Sequence, residues 1–296
     1  MNQPEQPVVV GLGEVLWDVF PDRTCFGGAP ANFVSSVAEL TEVAVPVMVS
    51  GVGNDKLGAD AIAEFRNRGV NTDHIAKVDR PTGTVDVQID RQGKASYVFA
   101  DNCAWDAFEW SEQLQSLASR TAAVCFGTLG QRKPTARRTI HQFVEHVPAT
   151  NMRLLDINLR PPFYSEDIVL DSLRLANALK MNDEEAPLLA ELSNIEADGA
   201  DLLPKLADRW NLNTVAMTAG ADGALLWHQG QLVRSAGVKT IIVDTVGAGD
   251  SFTAAMTVGL LQGRDLQQVS DHACQVAAYV CSTPGATPAM PERLRM

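Results

Sequence analysis

Apolar residues fall into short runs and helically spaced stretches that alternate along the chain. The segment VVVGLGEVLWDVF at 8–20 begins with a continuous apolar run of the kind that suits a strand buried on both faces. After the Gly-rich turn at 27–28, Pro30 can open a helix in which Phe33, Val34, Val37 and Leu40 recur at helical spacing, and a second helix over roughly 58–68 stops at Gly69. Between 84 and 99 the period changes to two: Val85, Val87 and Ile89 alternate with Thr84, Asp86, Gln88 and Asp90, and RQGK turns the chain into ASYVF. This predicts a half-exposed β-hairpin. Strand-like runs at 122–127, 153–158, 178–182 and 214–218 then alternate with helical stretches, which implies βα crossovers and a mostly parallel sheet. The expected architecture is a three-layer α/β/α sandwich, with the polar-faced hairpin outside the main sheet as a small lid.

Composition narrows the picture. A chain of 296 residues with 46% hydrophobic content can bury one large core, and no repeat, low-complexity tract or Pro/Gly/Ser-rich linker divides it. One domain over 1–296 is therefore expected, with the lid drawn from about 18–28 and 82–105. A formal charge of −12 repels nucleic acid and anionic membrane surfaces, so neither is expected as a partner and a small ligand is favoured. Five cysteines at 25, 103, 125, 274 and 281 form no CxxC pair, which fits a reducing cytoplasm better than a disulfide framework. The N-terminus lacks a basic region ahead of an apolar stretch, and no run of about 18 apolar residues occurs, so a cytoplasmic protein is expected.

The strongest local chemistry lies in IIVDTVGAGDSFTAAMTVGLL at 241–261. Here an apolar run, read as a strand, enters a Gly-rich turn and then a helix with Phe252, Ala255, Met256, Gly259 and Leu260 along one face. Gly247 and Gly249 let the backbone approach a ligand, and the amides of residues 248–250 would point at a negative charge placed there. Asp250 sits at the same helix start, so a carboxylate and an anion hole stand side by side, an arrangement suited to group transfer to a hydroxyl. The helix dipole favours the carboxylate and predicts a weak base, which phosphoryl transfer tolerates because its loose transition state depends on positioning and charge neutralisation. The plainer reading is that GAG permits tight strand-to-helix packing and Asp250 caps the helix.

The stretch DTVGAGDSFTAA at 244–255 resembles the C-terminal signature of the ribokinase-like (PfkB) carbohydrate kinases, and GGAPANFV with SGVGNDKLG over 27–58 resembles their N-terminal signature. WD at 17–18, DINLR at 156–160, KMNDEE at 180–185 and PGATP at 284–288 follow in the family's order, so the similarity spans nearly the whole chain. The resemblance implies a ribokinase-like fold, ATP and Mg2+ as cofactors and a sugar as substrate. The wording of GGAPAN and D-x-N-L-R is closest to fructokinase-like members, which implies a neutral ketose phosphorylated at a primary hydroxyl. Ribose, 2-keto-3-deoxygluconate and aminoimidazole riboside are alternatives on the same scaffold.

By this resemblance Asp250 is the catalytic base, and Gly247, Ala248 and Gly249 shape the anion hole. Asp18, Gly28 and Asn32 match sugar-binding positions, with Asn32 otherwise a helix-start residue turned to solvent. Arg160 would clamp the substrate or the transferred phosphate, or else form a surface ion pair. Asn182 and Glu185 match an N-x-x-E element that helps hold Mg2+ and the ATP phosphates through water, although NDEE also reads as an acid-rich helix start. Thr218, Gly220 and Gly223, in MTAGADG, match the nucleotide side. Asp244, with the carbonyls of Val246, Thr283 and Gly285, would hold a monovalent cation such as K+, whereas Ala289 lacks the hydroxyl some relatives offer. Nine residues between Asp18 and Gly28, fewer than in ribokinase itself, imply a reduced lid, and with it a homodimer left open. Cys25, Phe26, Phe99, Cys103 and Trp105 would line the sugar pocket or simply pack the lid.

Other motifs fail. GLGEVL at 11–16 has Leu16 where a dinucleotide fingerprint needs a third glycine. Ser251 in GDSF has no Asp and His arrangement nearby, and no histidine pair has ligand spacing, so neither a hydrolase nor a catalytic zinc is expected. A sugar-binding regulatory protein without catalysis is the rival from another class; Asp250 beside an intact GAG loop argues against it.

Overall fold

A computed structural model describes residues 6–89 and 95–296. The first half contains β1 (Val8–Leu12), β2 (Leu16–Val19), β3 (Thr24–Gly27), α1 (Ala29–Leu40), β4 (Val45–Gly53), α2 (Lys56–Asn67), β5 (Ile75–Val78), β6 (Gly83–Ile89), β7 (Ala95–Phe99), α3 (Glu112–Ser119), β8 (Thr121–Phe126) and α4 (Pro134–His146). The second contains β9 (Met152–Asp156), α5 (Glu166–Leu175), β10 (Ala178–Asn182), α6 (Ala186–Ser193), α7 (Gly199–Trp210), β11 (Thr214–Thr218), β12 (Ala224–His228), β13 (Gln231–Ser235), α8 (Ala248–Leu261) and α9 (Leu266–Cys281). Local chemistry sets many of the helix starts. Asp55, Ser111, Ser165 and Asp265 each accept a backbone amide from the first turn of α2, α3, α5 and α9, and Pro30 occupies the opening turn of α1.

Nine strands form the main sheet in the order β13-β12-β11-β10-β9-β8-β1-β4-β5. The strands from β11 to β5 run parallel, and β12 and β13 close the opposite edge as antiparallel strands. Side-chain alternation along β1 shows how both faces are covered. Val9 joins the core under α1, α8 and α9, whereas Val8, Val10 and Leu12 join the core under α3, α4, α5, α6 and α7. The three layers read from the periodicity are therefore present. A second sheet, β3-β2-β6-β7, carries the expected hairpin, with Val85 and Val87 buried and Asp86 exposed. Its RQGK turn, with Arg91 and Lys94, lies outside the described residues.

Two local readings need correction. The apolar run at 241–243 is not a strand: Ile241, Ile242 and Val243 are 84%, 67% and 56% exposed, and the segment is tied to α9 mainly by the Val243 amide donating to the Cys281 carbonyl at 2.8 Å. β13 is the last strand of the sheet on that side, and the run does not pair with it. Helix α8 does not bury a single face either. Its residues from Asp250 to Gly259 are all buried, because the helix is held between α1 and α9 against the sheet.

Candidate active site

The carboxyl ends of β1, β9, β10 and β11 converge on the first turn of α8, the edge at which parallel sheets collect ligands. Two cavities meet there. The first, about 660 Å3, is lined among others by Glu14, Asp18, Gly28, Asn32, Arg160, Lys180, Asn182, Gly247 and Asp250, with Leu16, Val85 and Phe99 of the small sheet as its outer wall. The second, about 600 Å3, is mainly apolar and runs between Gly220, Gly223, Gly237, Val238 and Ile242 on one side and Phe252, Cys274, Ala277 and Cys281 on the other. Thr218, Thr245 and Gly249 belong to both walls. A ligand in each cavity would thus meet its neighbour over the amides that open α8.

Backbone geometry shapes this junction. Gly247 has φ +79°, and a Cβ there would lie 2.3 Å from the Ala286 carbonyl oxygen, so only glycine fits. Among the described residues the Gly249 and Asp250 amides have no backbone acceptor, whereas the Ala248 amide lies 3.3 Å from the Thr245 carbonyl oxygen and is partly used. Of the three amides read from the sequence, two are thus without a backbone acceptor and one is partly engaged.

Asp250 is buried on α8, and its Oδ2 accepts a 2.9 Å hydrogen bond from Asn32 Nδ2. Asn32 is itself buried on α1, its Oδ1 has no partner, and its side chain faces the first cavity rather than solvent. Burial, then the charge of Asp156, pushes the Asp250 carboxyl up to about 7, against the Asn32 hydrogen bond and the positive charges of Lys180 and Arg160. Desolvation outweighs the helix dipole, so the weak base expected from position alone becomes a carboxyl poised near neutrality. Asp18, half-buried on β2, is pushed up to about 6 by burial, opposed by Arg160 and reinforced by Asp244.

Arg160 lines the cavity, its Nη1 donates to the Leu159 carbonyl at 3.1 Å, and among the described residues it has no carboxylate within ion-pair distance. Its charge instead acts on Glu14, Asp18 and Asp250 together. Asn182 and Glu185 are brought together as a local lock: Asn182 Oδ1 accepts from the Glu185 amide at 2.8 Å, and Glu185 accepts from the Asn182 and Leu159 amides at 2.9 and 2.8 Å. Asn182 lines the first cavity, while Glu185 sits one layer behind it. Thr218, Gly220 and Gly223 all line the second cavity. Asp244 bridges two loops, accepting from the amides of Val246 at 3.0 Å and Gly285 at 3.3 Å, and so brings the 244–246 and 283–285 segments together. Thr283 turns its hydroxyl back to the Tyr279 and Val280 carbonyls.

The family model for pfkB family carbohydrate kinases matches residues 14–293, nearly the full chain. The chain belongs to the PfkB family of carbohydrate kinases. It is 27% identical to a fructokinase of Escherichia coli over 95% of each chain. Among solved structures it resembles an uncharacterized sugar kinase of Pyrococcus horikoshii in complex with ATP, at TM-score 0.81 and 26% identity over 96% of this chain and 95% of that one. It also shares its fold with a 2-dehydro-3-deoxygluconokinase of Thermotoga maritima, at TM-score 0.85 and 20% identity over 96% of each chain.

Within this PfkB site several residues went unread in the sequence. Lys180, in the apolar strand ALKMN, is 6% exposed, and its Nζ lies 3.2 Å from Asp156 Oδ1. Glu14, passed over inside a failed dinucleotide motif, is buried against Gly28 and Gly130. Its Oε2 has no partner, and burial raises its carboxyl against its own and the Ala29 amides and the charges of Arg160 and Arg132. One ionisable residue in an otherwise apolar run was the available signal in both cases. Of the aromatic and thiol residues expected around the sugar, only Phe99 lines the cavity. Cys103 and Trp105 are buried with Leu129, and Phe26 packs edge-on against Trp17 and Phe65. Ser251, fully buried, donates its hydroxyl to the Ala248 carbonyl at 2.9 Å, in keeping with a helix residue rather than a nucleophile.

Proposed function

We propose that the chain transfers the γ-phosphoryl group of ATP to a primary hydroxyl of a neutral sugar, with fructose the foremost candidate. The observation that carries this reading is the meeting of the two cavities over Gly249, with Asp250 in the wall of the first. The apolar cavity suits a purine base, and the polar one suits a polyhydroxylated ligand that both donates and accepts hydrogen bonds. Asn32 holds one oxygen of Asp250 and leaves the other for the sugar hydroxyl. In the reaction the hydroxyl oxygen bonds to the γ-phosphorus as the bond to the β,γ-bridging oxygen breaks. ADP departs, and the hydroxyl proton passes to Asp250. The Gly249 and Asp250 amides stabilise the charge spread over the phosphoryl oxygens; removing one such donor typically costs about 3 kcal/mol of barrier.

Asn182 and Glu185 present oxygen atoms, the donors a hard cation prefers, and would hold Mg2+ through water because Glu185 is already engaged with two backbone amides. Bound there, Mg2+ would neutralise phosphate charge. The Asp244 bridge and the carbonyls of Val246, Thr283 and Gly285 would hold a monovalent cation next to the anion hole. Glu14, Asp18 and Asp250 place three carboxyl groups around the sugar cavity, with Arg160 and Lys180 as the cations in its wall, which favours a neutral sugar over an anionic one.

The test is ADP release with Mg-ATP against fructose, ribose, 2-keto-3-deoxygluconate and aminoimidazole riboside, with and without potassium. Fructose ahead in kcat/KM by about a hundredfold, roughly 2.7 kcal/mol, establishes the substrate. Another winner keeps the mechanism and replaces the sugar. No turnover on any of them, with ATP still bound, points to a sugar-binding regulator and ends the kinase reading.

A further inference from the structure

We infer that Lys180 is a further catalytic residue whose ammonium contacts the phosphoryl group in transit between nucleotide and sugar. This rests on the kinase reading above. Along β10, Leu179 and Met181 enter the core under α6 and α7, so strand alternation turns Lys180 to the other face, under the first turn of α8. A Cβ built on Gly249 would stand 3.0 Å from Lys180 Nζ, which puts the ammonium directly against the peptide that joins the two cavities. The side chain is more than nine-tenths buried, yet it lines the first cavity beside Asn182, Gly249 and Asp250.

Its partners leave it free to act. Asp156 Oδ1, at 3.2 Å, takes one of its three N–H groups, and among the described residues no other side chain accepts from it. Asp156 is fixed from the α8 side, where Thr253 Oγ1 lies 2.9 Å from its Oδ2 and 2.9 Å from the Gly249 carbonyl oxygen, with one proton shared between the two acceptors. The carboxyl groups of Asp156, Glu185 and Asp250 all face its ammonium. The charged and titratable groups around it come from every neighbouring element: Cys125 of β8, Asp156 of β9, Glu185 ahead of α6 and Asp250 of α8, with Arg160 and Glu14 across the cavity.

Neutralising Asp156 is the competing account of this lysine. Apolar replacements of buried ion pairs are often as stable as the pairs themselves, so stability alone gives little reason for a lysine at this position. A fixed ammonium beside two unpaired amides has a reason in phosphoryl transfer, where charge accumulates on the equatorial oxygens. Lys180 gives up no proton in the step. It stays an ammonium while the sugar oxygen displaces ADP and Asp250 receives the hydroxyl proton.

The experiment compares Lys180→Met and the double variant Asp156→Asn/Lys180→Met with the native protein. It reads kcat and KM for the best sugar at saturating Mg-ATP, ADP affinity by calorimetry, and Tm. Lys180→Met should lower kcat by about a hundredfold or more, with ADP affinity within about threefold of native. The double variant removes the unpaired carboxylate and should recover Tm while kcat stays down; if the single variant does not fold, the double variant decides. Lys180→Met within about threefold of the native kcat, or a double variant that regains most of it, would show that the lysine only neutralises Asp156. An inert native protein ends the kinase reading and this inference together, whereas an active native protein with an unimpaired variant ends this inference alone.

Discussion

At Asp250 the pull of the helix dipole, about 0.3–1 kcal/mol in favour of the carboxylate, is set against burial and the nearby charge of Asp156. Burial prevails, and the consequence runs in two directions. With Asp250 as the base in the proposed reaction, catalysis needs the ionised form, so kcat/KM should rise with pH through about 7 and level off above it. Asn32→Ala removes the hydrogen bond that favours the carboxylate and should move that rise to higher pH, which a pH-rate profile reads directly. Stability moves the other way. A folded-state pKa above the unfolded value of about 3.9 means that the stability present below about pH 4 is lost as pH climbs through 7. Asp250→Asn should therefore raise Tm over native at pH 8, with the advantage fading toward pH 5. The same variant should lose about a hundredfold to ten-thousandfold in kcat while still binding ADP. An equal Tm difference at both pH values would contradict the assigned titration.

The elements around the site differ in how far the sequence alone reveals them. Strands β10 and β11 appear at the boundaries their apolar runs suggest, because each is buried between neighbours on both sides. The run at 241–243 carries the same local signal without a strand partner, and nothing within the run records that the sheet ends at β13. Gly247 was legible because its left-handed backbone and its closeness to the Ala286 carbonyl demand glycine. Gly247→Ala should cost at least about 1–2 kcal/mol in denaturant unfolding. Lys180 and Glu14 were not, since their meaning depends on partners that only strand order supplies: Asp156 stands 24 residues before Lys180. The exposed run also divides by function. Ile242 lines the cavity proposed for the nucleotide and Ile241 does not, so Ile242→Ser should raise the KM for ATP several-fold, about 1 kcal/mol, while Ile241→Ser leaves it unchanged.

At the scale of the whole molecule, the cavity proposed for the sugar lies on a seam between the two sheets and the cavity proposed for the nucleotide does not. Leu16, Asp18, Val85 and Phe99 of the small sheet face Asn32, Arg160 and Asp250, whereas the second cavity takes no residue from β2, β3, β6 or β7. One buried group fastens this seam. Arg132 Nε and Nη2 grip Asp106 Oδ1 and Oδ2 at 2.8 and 2.7 Å, Nη2 donates to the Ala100 carbonyl at 2.7 Å, and the guanidinium lies 4.0 Å from the Trp105 ring. It thereby binds the exit of the β6–β7 hairpin to the turn that carries Leu129, another wall of the sugar cavity. Arg132→Met leaves Asp106 buried without its counter-charge and should destabilise the fold by about 3–5 kcal/mol. Pairing it with Asp106→Leu should restore much of that loss without restoring the fastening. In this double variant the KM for sugar should rise while ADP affinity, measured by calorimetry, stays at its native value. If both affinities fall together, the seam is not what holds the sugar wall in place, and the two cavities answer to a common scaffold.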